Sequence, residues 1–213
     1  MSAVGIQIDL GLRLLDDQLL DSEDHRCGRV DDIQLEGAPG SRTQVSALLS
    51  GSGSWTNRLR QPFGGMIAGF APAYVHCIPW SDVTAVGTAV QLSRTAAEIG
   101  LEANDGRNVR WLGSPPRGTI LVSELLRSTI VTEAGEKIGR ARDVRVERQT
   151  KLPDERVNED WRVIGLISGR GGWQERIGLS PEGDPNEGES FIPWDSVTEI
   201  GDGILTVSGG ASG

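Results

Sequence analysis

The chain is poor in several of the residues that chemistry usually needs. It has 213 residues but only two Cys and two His. Two Cys cannot build a disulfide scaffold, and neither lies in a Cys-x-x-Cys pair. His25 and Cys27 are near neighbours, as are His76 and Cys77. Adjacent residues of a strand point to opposite faces, so His76 and Cys77 cannot chelate one ion together. Aromatics are 5% of the chain. No stretch reaches the 18 or so apolar residues of a membrane-spanning helix. Residues 1–10 have neither a basic start nor a long apolar run, so no signal peptide is expected and the cytoplasm is the default compartment. Basic residues are also in deficit: 21 Lys plus Arg stand against 30 Asp plus Glu, a formal net charge of −9. Such a chain has no surplus of cations to displace counterions from a phosphate backbone, so bulk nucleic acid is excluded as a partner.

What is abundant is glycine, 29 residues, in a chain that is 37% hydrophobic and 24% charged. That composition folds, and it favours turns and short strands over a helical bundle. Of the 21 basic residues 19 are Arg, a usage associated with GC-rich bacterial genomes.

The two halves repeat each other in three ordered blocks. With a shift of 111, Leu14-Leu15, Gly28-Arg29, Asp32 and Glu36 meet Leu125-Leu126, Gly139-Arg140, Asp143 and Glu147, six identities in 23 positions. With a shift of 118, Val45, Leu48, Ser50, Gly51, Gly53 and Trp55 meet Val163, Leu166, Ser168, Gly169, Gly171 and Trp173. With a shift of 114, Ile78-Pro79-Trp80, Val83-Thr84 and Gly87 meet Ile192-Pro193-Trp194, Val197-Thr198 and Gly201. Constant order with variable gaps is the signature of loops changing on a shared scaffold.

Each unit reads as short strands. Ile33 and Leu35 alternate with Asp32, Gln34 and Glu36, and Val144 and Val146 with Asp143, Arg145 and Glu147. Period two predicts half-buried strands with the polar residues outside. Val45, Ala47 and Leu49 predict another, as do Val163, Gly165 and Ile167, and the Gly-rich runs 50–54 and 168–172 then turn the chain. Further strands are expected at Phe191-Ile192 and at 204–207. Four or five strands in about 80 residues bury both faces only by closing into a small barrel. Residues 94–117 carry a weak helical signal broken at Gly100 and Gly106, then Pro115-Pro116.

These residues resemble the PRC-barrel family. The resemblance rests on Gly28-Arg29-Val30-Asp31-Asp32-Ile33, the Gly-rich hairpin and Ile78 to Gly87, and again on Ile138 to Val144 and Ile192 to Gly201. It covers roughly residues 8–93 and 118–208. The family includes the cytoplasmic subunit of photosynthetic reaction centres, the C-terminal part of a ribosome maturation factor and archaeal cell-division adaptors. The resemblance implies an all-β protein of two tandem small PRC-type β-barrels joined by a partly helical linker. The expected organisation is a first barrel at 1–93, a linker at 94–117, a second barrel at 118–208 and a flexible tail at 209–213. It implies a non-catalytic adaptor that docks onto a protein or protein complex, without cofactor. The alternative is a ribosome-associated assembly factor that contacts a basic ribosomal protein.

Candidate chemistry is weighed against plainer readings. Asp16, Asp17, Asp21, Glu23 and Asp24 are acidic but lack calcium-loop spacing, and the second copy has Arg127, Ser128, Thr132, Glu133 and Ala134 there, so a solvated acidic surface is expected. Gly169-Arg170-Gly171-Gly172 lacks the Lys-Ser/Thr of a phosphate loop. Two His, each in one copy only, support no Ser-His-Asp arrangement, and the carboxylates are expected on strand exteriors. No metal and no catalytic residue is therefore assigned. Trp80 and Trp194 are expected in the core or at a barrel end. The partner-binding candidates are Trp55 and Trp173, with Phe63, Met66, Ile67 and Phe70 of the uncharged, glycine-rich run 61–74. The counterpart of that run, 180–190, is strongly acidic. The apolar run is expected to pack on a barrel or on a partner, with a peripheral membrane contact or a second copy as further occupants.

Overall fold

The computed structural model describes residues 5–51, 74–101, 109–111, 118–148, 161–169 and 188–209. In the first half the strands are β1 (Ile6–Asp9), β2 (Gln18–Leu20), β3 (Arg26–Arg29), β4 (Asp32–Glu36), β5 (Gln44–Ser50), β6 (Tyr74–Pro79), β7 (Val83–Val86) and β8 (Val90–Leu92). Then follow β9 (Val109–Trp111), β10 (Thr119–Leu121), β11 (Thr129–Thr132), β12 (Lys137–Arg148), β13 (Trp161–Gly169), β14 (Ser190–Pro193), β15 (Val197–Gly201) and β16 (Ile204–Val207). Among the described residues, three helices of four residues each accompany them: α1 (Leu10–Arg13), α2 (Ala96–Ile99) and α3 (Val122–Leu125). The chain is thus mostly β, with a half-barrel sheet and a second, four-stranded sheet. Among the described residues no helix is long and apolar enough to cross a membrane.

The chain divides into two compact units. One unit comprises residues 1–12, 35–45 and 118–213, and the other 13–34 and 46–117. The first unit holds β1 because β1 pairs antiparallel with β12, from Ile6↔Arg148 to Asp9↔Arg145. Its sheet runs β13-β12-β11-β16-β15, with β14 on β13. β12 makes bulges between Ala141 and Asp143 and between Arg145 and Val146, which let a twelve-residue strand bend rather than run flat. The core of this unit is Leu10, Leu125, Ile130, Val144, Val146, Leu166 and Leu205, all without solvent exposure. Each such side chain contributes roughly 1.5–3 kcal/mol of burial.

The second unit carries the sheet β3-β2-β8-β7 and the pairs β5·β6 and β6·β9. Its core is Leu14, Leu19, Val30, Ile33, Leu48, Ile78 and Val90. Residues 94–101, expected in a linker, are anchored here. Ile99 is buried, and Thr95 caps α2 with a full capping box to Glu98. β9, from the same expected linker, adds to β6 with Tyr74↔Trp111, Val75↔Arg110 and His76↔Val109.

Within each unit the local register is the same. β2·β3 pairs Leu19↔Gly28 and slips after Leu19; β11·β12 pairs Ile130↔Gly139 and slips after Ile130. β2 and β11 then each run parallel to a later strand, Leu19↔Val90 and Ile130↔Leu205. β5·β6 pairs Leu48↔Ile78 and Ser50↔His76, where β13·β14 pairs Leu166↔Ile192 and Ser168↔Ser190. Pro79 and Pro193 open the same 3-10 turn, with φ and ψ of −55° and 141° against −58° and 140°.

Candidate functional site

Among the described residues four groups of side chains have enough burial or convergence to be considered as sites. The first is the repeated Asp. Alternation predicted Asp32 and Asp143 on strand exteriors; both are instead buried, at about 1% exposure. Gln34 is buried as well. The reason is a backbone that needs acceptors. Asp143 Oδ1 accepts from the N–H of Val144 at 2.7 Å and of Gly11 at 2.6 Å, and Oδ2 accepts from Leu12 N–H at 3.0 Å. The donors of the first turn of α1 have no partner inside so short a helix, and the carboxylate supplies one. Asp32 Oδ1 accepts from Ile33 N–H at 2.8 Å. These carboxylates hold backbone in place.

The second group is the acidic loop. Asp16, Glu23 and Asp24 are exposed as expected, but Asp21 is not part of a solvated surface; it is buried. Asp21 accepts from the N–H groups of Glu23 (2.9 Å), His25 (3.0 Å) and Ala96 (3.2 Å). Burial pushes its carboxyl up, but the three donors and the nearby His25 outweigh that and hold it below the ordinary carboxylate range. Asp17 goes the other way: burial raises it, against the attraction of Arg13. His25 Nδ1 lies 3.5 Å from Glu23 and 3.9 Å from Asp21 on a side chain that is largely exposed. Among the described residues no three His, Cys, Asp or Glu side chains form a group that could hold a metal ion. Burial, with the negative charge of Asp21, pushes the Cys27 thiol up to about 11, so it is a protonated and poorly nucleophilic thiol near neutral pH.

The third group is one that sequence reasoning missed. Asp31, Ser50 and His76 come together at the end of β5, all three buried. Ser50 and His76 face each other across β5·β6. No short-range pattern could have found this, because the three residues are separated by a turn and a long connection. Their residue types are those of an acyl-transfer triad, but the arrangement is that of a hairpin root. Asp31 Oδ2 accepts from Gly51 N–H at 2.6 Å. Ser50 Oγ is aimed at Gly28, 2.8 Å from where a Cβ on that residue would stand, so only glycine fits there. In the other unit Arg142 and Ser168 hold the corresponding positions. The Arg142 stem packs on Gly169, and its guanidinium lies 3.4 Å from Glu189. Ser168 Oγ donates to the carbonyl of Ser190 at 3.3 Å.

The fourth group lies on the surface of the first unit. Phe191, on β14, is 44% exposed. Its ring sits over Gly165, where an added Cβ would meet ring carbons at 2.4–2.5 Å. Arg145 places its guanidinium 5.9 Å from the ring centroid. Asp9 holds that guanidinium in a bidentate pair, at 2.7 and 3.0 Å. The local sequence places Phe191 in a strand and no more. Its exposed aromatic character beside a braced Arg is a property of the register Arg145↔Gly165 and Ile167↔Phe191.

The tryptophans divide. Trp194 is buried, and its Nε1–H donates to Thr43 Oγ1 at 3.0 Å, while Trp80 is half-buried. The expected partner-binding residues Trp55, Phe63, Met66, Ile67, Phe70 and Trp173 all lie outside the described residues. No protein-family model and no curated protein matches this chain.

Proposed function

We propose that the chain is a non-catalytic cytoplasmic adaptor, built on two PRC-type β-barrels, that docks onto a protein or protein complex. The observation that carries this reading is the Phe191 surface. An aromatic ring 44% exposed, seated on a glycine and flanked by an Arg that Asp9 keeps in position, combines the side chains enriched at the centres of protein interfaces. Its rigidity lowers the ordering cost of binding. The buried carboxylates support the same reading, since Asp143 and Asp21 are engaged by backbone donors. A basic ribosomal protein is a second reading, favoured by the net charge of −9.

The test is affinity capture with the tagged full chain from a lysate of the source organism, in parallel with Phe191→Ser. The expected result is a defined set of proteins that the variant loses while it stays folded, with a melting temperature lowered only modestly because the ring is 44% exposed and rests on Gly165. Ribosomal proteins in that set select the second reading. Identical capture by both chains would overturn the assignment to this surface.

A further inference from the structure

The stretch 93–101 is held to the second unit differently from the strands around it. Within it Ile99 is the one large apolar side chain that is buried. Carboxylates fasten the backbone beside it. Asp82 receives the Arg94 guanidinium on both oxygens, and its carbonyl accepts from Ser93 N–H at 2.8 Å. Asp21 Oδ2 accepts from Ala96 N–H at 3.2 Å, and Ser22 N–H donates to the Arg94 carbonyl at 3.1 Å. Glu98 accepts from Thr95 N–H at 2.9 Å and closes the capping box of α2. Asp21 also has a second side. Its Oδ1 accepts from the N–H groups of Glu23 and His25 in the turn between β2 and β3. One buried carboxylate thus holds the loop 22–25 and the strap 93–101 at the same point. In the first unit Ser208 N–H donates to the Ser196 carbonyl as Ser93 does to Asp82, but Ser196 has no carboxylate and Gly209 stands in the place of Arg94.

We propose that Asp21 is a two-sided latch: it couples the loop 22–25 to the strap 93–101, and loss of its charge releases both while the sheets of the unit stay folded. This goes beyond the docking reading and does not rest on it. The physical ground is the difference in fastening. The core around Leu48 and Ile78 is apolar and has nothing to titrate there, whereas hydrogen bonds to an ionised acceptor are roughly twice as strong as those to a neutral one. The groups around Asp21 all respond to that one charge. On its own loop His25 Nδ1, at 3.9 Å and shared with Glu23, favours the carboxylate. On β3 the Cys27 thiol is raised in part by it, and on β8 Gln91 donates to the Asp21 carbonyl. On the strap Arg94 is committed to Asp82, and Glu98 to Thr95.

Acid acts in one direction. Burial raises the Asp21 carboxyl, but its three N–H donors and His25 hold it below the ordinary 3.8, so its contribution is fully present above pH 3.8 and is lost as the pH falls further. The Thr95 bonds hold Glu98 below its ordinary 4.5, so the cap of α2 weakens in the same sense.

The test is amide hydrogen exchange of the full chain, read residue by residue, for Asp21→Asn and Glu98→Gln beside the unaltered chain at neutral pH. In Asp21→Asn the amides of Glu23, His25, Ala96, Ile99 and Leu101 are expected to lose protection together, by at least about tenfold, with β5 and β6 unchanged within about twofold. Glu98→Gln is expected to weaken protection in 96–101 and leave 23–25 as it was. Acid titration of the unaltered chain is the second measurement: loop and strap are expected to lose protection together below pH 3.8, ahead of β5 and β6. Separate responses of loop and strap, full protection retained in Asp21→Asn, or loss in step with β5 and β6 on acidification would each overturn the proposal. Should Asp21→Asn not fold, the acid titration decides alone.

Discussion

The two units place the same register under different side chains. Where the second has Asp31 at the hairpin root, the first has Arg142; where the second has Cys77 half-buried on β6, the first has Phe191 exposed on β14. Trp194 is buried and bonded to Thr43, while Trp80 is half-buried. The comparison teaches that pairing register is carried by the apolar positions and glycines the halves share. The polar and aromatic positions between them are open to change, because a substitution there does not flip the sheet. Surface chemistry can therefore differ between units of one local geometry.

The comparison is broken most severely at Asp143. Replacing it with Ala strands the N–H groups of Gly11, Leu12 and Val144. A loss of about 3 kcal/mol is expected, since each buried donor left unsatisfied costs roughly 1–3 kcal/mol and water enters part of the site. Chemical denaturation measures it, and in a chain of this size it lowers Tm by about 6–12 °C. A loss under about 0.5 kcal/mol, typical of a surface site, would show that the carboxylate is not the cap of α1.

A smaller effect sharpens the tryptophan contrast. Trp194→Phe leaves the Thr43 hydroxyl without its donor in a buried place and is expected to cost about 1–3 kcal/mol. Trp80→Phe, at a half-buried position, is expected to cost less than half of that. Paired denaturation curves decide it, and equal costs would remove the distinction.

The smallest effect concerns Cys27. Its thiol is raised from an ordinary 9.0 to about 11, so the folded chain keeps its proton longer than the unfolded chain does. The sign follows: this contribution to stability is fully present below pH 9 and is lost as pH rises from 9 towards 11. Thiol labelling at Cys27 in a Cys77→Ser chain is expected to be slow at neutral pH and to accelerate through that window. Rapid labelling at pH 7 would contradict the burial assigned to it.

How far the sequence reaches is seen in particular elements. The strands at 44–50, 161–169, 190–193 and 204–207 were legible because alternation and the flanking Gly and Pro are local. The alternation of Asp143 with Val144 misled, because it ignores that the backbone donors opening α1, at Gly11 and Leu12, need a buried acceptor and take this carboxylate. Residues 94–101 read as linker because their helical signal is weak and broken at Gly100, yet a capping box and one buried Ile fasten them to the second unit. The Phe191 surface was invisible because it is made of residues from β1, β12, β13 and β14.

By itself, the sequence determined what is local: the small-strand composition, the turns after Pro79 and Pro193, the charge of −9 that disfavours nucleic acid, and the scarcity of metal-binding side chains. Only the tertiary structure decided that β1 joins β12, that Asp143 turns inward, and that β6 carries β9 while β14 is bonded to β13 alone among the described residues. The reason is sequence separation. Pairing of residues 6–9 with 145–148 is set by which edge is available when the sheet forms, and no pattern of neighbouring residues encodes that availability.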